Sequence, residues 1–120
     1  TGALGSELKI IYPNSISPSH EDLDICNLTS VKEFFNNNKI DIVIHTAALT
    51  TVRGCEENKS KALEINVQGT RNLITEFKNS NFSGKFVYVS TALKRVRKWF
   101  RGIHLCLMKI QSPTLKIFIL

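Results

Sequence analysis

Two glycines, Gly2 and Gly5, stand three residues apart ahead of a run of helix formers in TGALGSELKII. Backbone of that kind can approach a ligand closely, and the free amides of a helix N-terminus suit a pyrophosphate. The same spacing also serves an ordinary turn. Further along, DLDICN brings Asp22 and Asp24 ahead of a second helix pattern. Asp24 can accept from the exocyclic amine at the adenine edge of a dinucleotide. Equally, it can be a solvated loop acid near a helix start, where negative charge is favourable. The run DIVIHTAALTTV closes an apolar stretch at His45 and follows it with Ala47 and Ala48. Small residues beyond the carboxyl end of a buried strand leave room for a ligand, or for a tightly packed helix. His45 itself reads as a packed strand-end residue rather than a catalyst. Lastly, KFVYVST ends a second apolar run on Ser90 and Thr91, a strand end that can deliver a hydroxyl to an active site.

The elements that must position these residues follow from periodicity. Pro13, Ser15, Ser17, Pro18 and Ser19 mark a loop after the first helix. In SVKEFFNNNK, Ser30 is followed three residues later by Glu33, a capping-box pattern, and the run ends on asparagines. DIVIH, short and β-branched, suits a buried strand. The longest helical pattern covers roughly Glu56 to Asn79, with Ala62, Gly69, Leu73 and Phe77 on one inward stripe. Asn66 falls on that stripe, and an amide facing the core needs a partner. Helix, helix, strand, helix, strand is an α/β alternation, which predicts a parallel sheet with covering helices.

Composition divides the chain. It has 120 residues, 42% hydrophobic and 22% charged, as in a folded globular protein. No apolar run approaches the ~18 residues of a membrane span. The opening lacks an initiating Met and a secretory leader, so residues are expected to be missing upstream. Cys26, Cys55 and Cys106 show no paired spacing and read as free thiols of a reducing compartment, the cytoplasm. His20, His45 and His104 are scattered, and no metal site is expected. The net charge of +6 invites a nucleic-acid reading, but residues 1–91 hold nine Lys and Arg against ten Asp and Glu. Residues 92–120 hold seven Lys and Arg and no acid. A seam therefore falls near Thr91, between residues 1–91 and a basic tail of residues 92–120. The tail's last third reads as a strand or a short helix.

Taken in order, GALGSEL, LDI, DIVIHTAA, CEEN with INVQGTRNL, and KFVYVST resemble the extended short-chain dehydrogenase/reductase superfamily. Within it, residues 1–91 are most similar to the dTDP-4-dehydrorhamnose reductase family. The resemblance implies a Rossmann-like doubly wound parallel sheet, here partial, with its first strand and the C-terminal substrate region missing. It implies NADPH or NADH as cofactor and a nucleotide-linked 4-keto sugar as substrate. Gly2 and Gly5 match the last two glycines of a GxxGxxG phosphate loop, and Asp24 and Ile25 match the acidic–apolar pair beside the adenine. Ala47, Ala48 and Leu49 match the segment under the ribose and pyrophosphate. Asn66 matches a polar helix residue supporting the catalytic region, and Thr91, with Ser90 beside it, matches the catalytic hydroxyl. In the family a Tyr of YxxxK donates the proton to the substrate carbonyl, and its Lys lowers the Tyr pKa and holds the nicotinamide ribose.

Beyond Thr91 the likeness stops. The tyrosines are Tyr12 and Tyr88, neither followed at the fourth position by lysine, so YxxxK occurs nowhere in this chain. ALKRVRKWF stands where an acidic residue and an aromatic–Gly turn are expected. A shifted reading frame, a misjudged coding boundary or an incomplete gene is the simplest account. A basic tail contacting phosphates through Arg95, Arg97, Lys98, Trp99 and Arg101 is the other. The chain is thus expected to be an inactive fragment that binds dinucleotide weakly if at all. Alternatives are a non-catalytic binding or regulatory subunit of dinucleotide fold, and a nucleotide-sugar epimerase or dehydratase fragment. The segment Asn14–His20, near the second strand, has no Arg or Lys to select NADPH, and oligomeric state is left open.

Overall fold

A computed structural model describes residues 2–81, 83–89 and 116–120. Helix α1 (Ala3–Ile11) begins after Gly2 and helix α2 (Leu28–Asn37) after Asn27. The Asn27 side-chain oxygen accepts from the amides of Thr29 and Ser30 at 3.0 and 3.3 Å. The α2 cap is therefore Asn27, with Ser30 inside the first turn, because an Asn just ahead of the apolar run reaches those amides first. The asparagine stop holds: the Asn38 backbone and side-chain N–H groups both donate to the Phe34 carbonyl.

Strand β1 (Ile42–His45) is buried throughout. The long helical pattern is divided into α3 (Val52–Glu57), α4 (Lys59–Leu63), a π-helix over Glu64–Gly69, and α5 (Thr70–Ser80). Asn58 ends α3 and caps α4, accepting from the Lys61 amide at 3.0 Å. Of the expected inward stripe, Gly69, Leu73 and Phe77 are buried, while Ala62 and Asn66 are half-buried. A Cβ on Gly69 would lie 2.7 Å from Ile25 Cδ1, so a glycine there lets the helix seat against Ile25.

Strands β2 (Lys85–Tyr88) and β3 (Ile117–Ile119) both run parallel to β1, in the order β2-β1-β3. Ile42 stands opposite Lys85 on one side and Ile117 on the other. Beyond β3 a parallel bridge joins Phe118 to Ile16, with the Ile16 amide on the Ile117 carbonyl at 2.8 Å and the Ile119 amide on the Ile16 carbonyl at 2.9 Å. The final apolar stretch, open between strand and helix in the sequence, is thus a strand with partners on both sides. β3 thus pairs with β1 on the side away from β2.

Side chains alternate across this sheet as strand geometry requires. Val43 and Phe118 face Leu23, Val31, Phe35, Leu73 and Phe77, under α2 and α5. Ile42, Ile44, Ile117 and Ile119 face the other way, against Leu8 and Tyr12 of the α1 region and Val87 and Val89. Helices on opposite faces of a parallel sheet make a partial doubly wound, Rossmann-like arrangement. Each fully buried side chain of β3 contributes about 1.5–3 kcal/mol of apolar burial. No helix among the described residues is long and apolar enough to cross a membrane.

Candidate functional site

Segments that follow β1 and β3 line one cavity of about 520 Å³. Thr46, Ala47, Ala48 and Leu49, just past β1, form one wall, and Leu120, just past β3, adjoins them. Gly2 at the head of α1 and residues 23–26 line the cavity as well. Lys61, Glu64 and Ile65, with Pro18, Ser19 and His20, line the rest. A position beyond strand carboxyl ends is where open α/β sheets bind ligands.

Six of the residues singled out in the sequence line this cavity: Gly2, Asp24, Ile25, Ala47, Ala48 and Leu49. Gly2 is the N-cap of α1, with no side-chain cap and no acid in the first turn, and a Cβ added to it would meet nothing within 4 Å. Open space therefore lies beside a helix start whose early amides lack a side-chain acceptor. Gly5, by contrast, is buried within α1 and does not reach the cavity. Asn66 stands behind the wall. Its Oδ1 accepts from the Leu49 amide at 2.8 Å and its Nδ2 donates to the Leu49 carbonyl at 3.0 Å. The amide on the apolar stripe thus has its partner, and that partner is the loop beneath the cavity. The Cys55 thiol donates to the same carbonyl at 3.3 Å.

Asn72, which the sequence reading missed, does the corresponding work on the Ile25 and Cys26 stretch of the lining. Buried in α5, it donates through Nδ2 to the Ile25 carbonyl at 2.9 Å and the Cys26 carbonyl at 3.4 Å. Its Oδ1 accepts from Gln68 Nε2 at 2.8 Å. The available signal was a second Asn in INVQGTRNL, one turn beyond the stripe's buried glycine. Asp24 Oδ1 accepts from the Cys26 amide at 2.9 Å, shaping the same segment. Asp22 instead ties the approach, accepting from the Ser19 hydroxyl at 2.6 Å and amide at 3.0 Å, which lower its pKa. Burial, then the negative charges of Asp24 and Glu64, push the Cys26 thiol up, so it stays protonated.

His45 is fully buried at the end of β1, as the sequence implied. Thr70 Oγ1 donates to the Asn66 carbonyl at 2.8 Å, so its contact with His45 Nε2 at 2.9 Å is one in which the imidazole N–H donates. Nδ1 is buried without a hydrogen-bond partner among the described residues, and burial lowers the imidazole pKa to about 4. A neutral, one-sided imidazole of this kind is structural. Ser90 and Thr91 lie outside the described residues, as do the cations from Arg95 to Arg101. β2 leads toward the two hydroxyls, with Tyr88 level with His45 and the Val89 amide on the His45 carbonyl at 3.0 Å. No group of three or more metal-ligating side chains gathers among the described residues.

A parallel sheet covered on both faces, with its cavity past the strand ends, has the topology of a partial dinucleotide-binding, Rossmann-like fold. The sequence comparison carries this to a family: residues 1–93 match the model of the RmlD substrate binding domain, and the chain belongs to that family, within the short-chain dehydrogenase/reductase-like proteins. It is 43% identical over 61 residues to dTDP-D-glucose 4,6-dehydratase of Dictyostelium discoideum, covering 51% of this chain and 14% of that protein. It is 41% identical over 51 residues to GDP-6-deoxy-D-mannose reductase of Pseudomonas aeruginosa, covering 42% and 17%. Over 68 residues it is 40% identical to dTDP-D-glucose 4,6-dehydratase of Homo sapiens, covering 57% and 19%. The chain thus spans less than a fifth of the length of each of these relatives. No solved structure matches it. These findings establish homology to nucleotide-sugar-modifying enzymes in general.

Proposed function

We propose that the cavity beyond β1 and β3 is the adenosine and pyrophosphate half of an NADPH or NADH site. The chain would then be part of a reductase of a nucleotide-linked 4-keto sugar, similar to dTDP-4-dehydrorhamnose reductase and cytoplasmic. The observation that carries this reading is the meeting of Gly2, Asp24, Ile25, Ala47, Ala48 and Leu49 around one cavity, from three separate stretches of sequence. The uncapped start of α1 at Gly2 offers amides to a pyrophosphate, and the open space beside Gly2 admits one. Asp24 is the acceptor for the adenine amine, and Ala47 and Ala48 keep the floor low. Asn66 holds Leu49, and with it the shape of that floor. The bound cofactor would supply the hydride.

Turnover needs an acid for the carbonyl oxygen, and this chain contains no YxxxK to provide one. Binding without reduction is therefore the expected behaviour. Calorimetric titration of the full chain with NADPH and with NADH tests the reading. Saturable binding to one site is expected, without NADPH oxidation when a dTDP-4-keto-6-deoxy sugar is added. Ala48→Trp, at an exposed position of the floor, should abolish binding and leave the melting temperature unchanged. Absence of binding, or binding indifferent to that substitution, would overturn it. The similarity to two dehydratases favours a nucleotide-sugar dehydratase as the second reading.

A further inference from the structure

We infer that residues 116–120 act as the strand that carries the phosphate turn, so that the nucleotide-binding sheet is assembled from this chain in permuted order. In space the parallel segments run Ile16, β3, β1, β2, whereas in sequence β3 comes last. In doubly wound sheets the place between the second and fourth strands belongs to the first strand, whose carboxyl end feeds the phosphate-binding turn. Here β3 holds that place, flanked by the Ile16 segment and β1. Its carboxyl end is in register with the site. Leu120 and Gly2 line the same cavity, and the Leu120 carbonyl accepts from both the amide and the hydroxyl of Thr46, at 2.5 and 2.6 Å. α1 packs against the same strand, with Leu8 and Tyr12 on Ile117 and Ile119.

The sequence agrees with the geometry. Read in the order LKIFIL and then TGALGSEL, it gives an apolar strand, a glycine turn and a helix start. A Gly-Ala spacer between Leu120 and Thr1 would place a third glycine at the spacing of Gly2 and Gly5. The basic stretch and the strand after it then have separate roles: β3 belongs to the sheet.

Two variants of the full chain test this, read first by thermal unfolding, which does not depend on the dinucleotide reading. Deleting residues 116–120 should abolish the cooperative transition. Moving those same five residues ahead of Thr1 through the Gly-Ala spacer should restore it, to within roughly 5 °C of the parent or above it. A control carrying Phe118→Asp within the moved strand should stay without a transition. A deletion that melts like the parent, or a moved strand that restores nothing, would overturn the inference. NADPH titration of the restored chain is a separate readout: failure to bind there, with the transition recovered, would count against the proposed site and not against the strand order.

Discussion

Two asparagines, Asn66 and Asn72, hold two separate stretches of the lining of the same cavity, and they do so on different terms. Asn66 projects from the π-helix and spends both ends of its amide on one residue, Leu49, at a half-buried position. Asn72 sits six residues later in α5, buried, and divides its amide between the carbonyls of Ile25 and Cys26 and the Gln68 side chain. Water can replace a lost partner at the first position and cannot at the second. The continuous π-helix and α5 thus anchor both stretches, with the Asp24 side built into the core and the Ala47–Leu49 side left adjustable.

Changing Asn72 to Asp should have the largest effect. It would set a carboxylate against the Ile25 carbonyl in a buried place, costing about 3 kcal/mol or more at neutral pH by chemical denaturation. Part of that loss should return on acidification, as the carboxyl takes up a proton. If Asn72→Asp is no worse than Asn66→Asp, the distinction between the two stretches is lost.

Next in size is a pH effect from His45, buried at the end of β1 and faced by Thr70 and the rings of Phe86 and Tyr88. Its folded pKa, about 4, lies below the ordinary value of 6.5, so the unfolded chain binds the extra proton between those limits. Stability should hold above pH 6.5, fall as pH drops from there toward 4, and level off below. The loss from pH 7 to pH 5 should be about 2 kcal/mol. His45→Gln should flatten that part of the profile.

Asn66→Ala should be the mildest for stability, at about 1 kcal/mol, since the freed Leu49 groups can reach water. It should nevertheless weaken NADPH binding more than Asn72→Ala weakens it per unit of stability lost. Equal losses in both would mean that the Ala47–Leu49 stretch is no more adjustable than the Asp24 stretch.

Much of this arrangement was legible in the residues. DIVIH announced a buried strand because four apolar or packed side chains follow one another with no room for a helix. Asn66 announced a partner because an amide on an apolar stripe is costly when unsatisfied. The α2 cap was misread by three residues, since Asn27 and Ser30 offer the same chemistry and only geometry chooses between them. The division of the long helix at Asn58 and the π-helix escaped the pattern, because a three- and four-residue stripe tolerates one extra residue. β3 was ambiguous for a different reason. LKIFIL is too short to show a period, and its partners at Ile16 and Ile42–Ile44 lie more than seventy residues away in sequence. Asn72 went unnoticed because its partners are backbone carbonyls, which leave no mark in a sequence.

The central claim is that the cavity past β1 and β3 receives the dinucleotide. Amide resonances of the full chain, followed while NADPH is added, test it most directly. Shifts should concentrate at Gly2–Gly5, Asp24–Cys26 and Ala47–Leu49 and leave α2 unchanged. Shifts confined to the basic segment, or to faces away from the cavity, would contradict it.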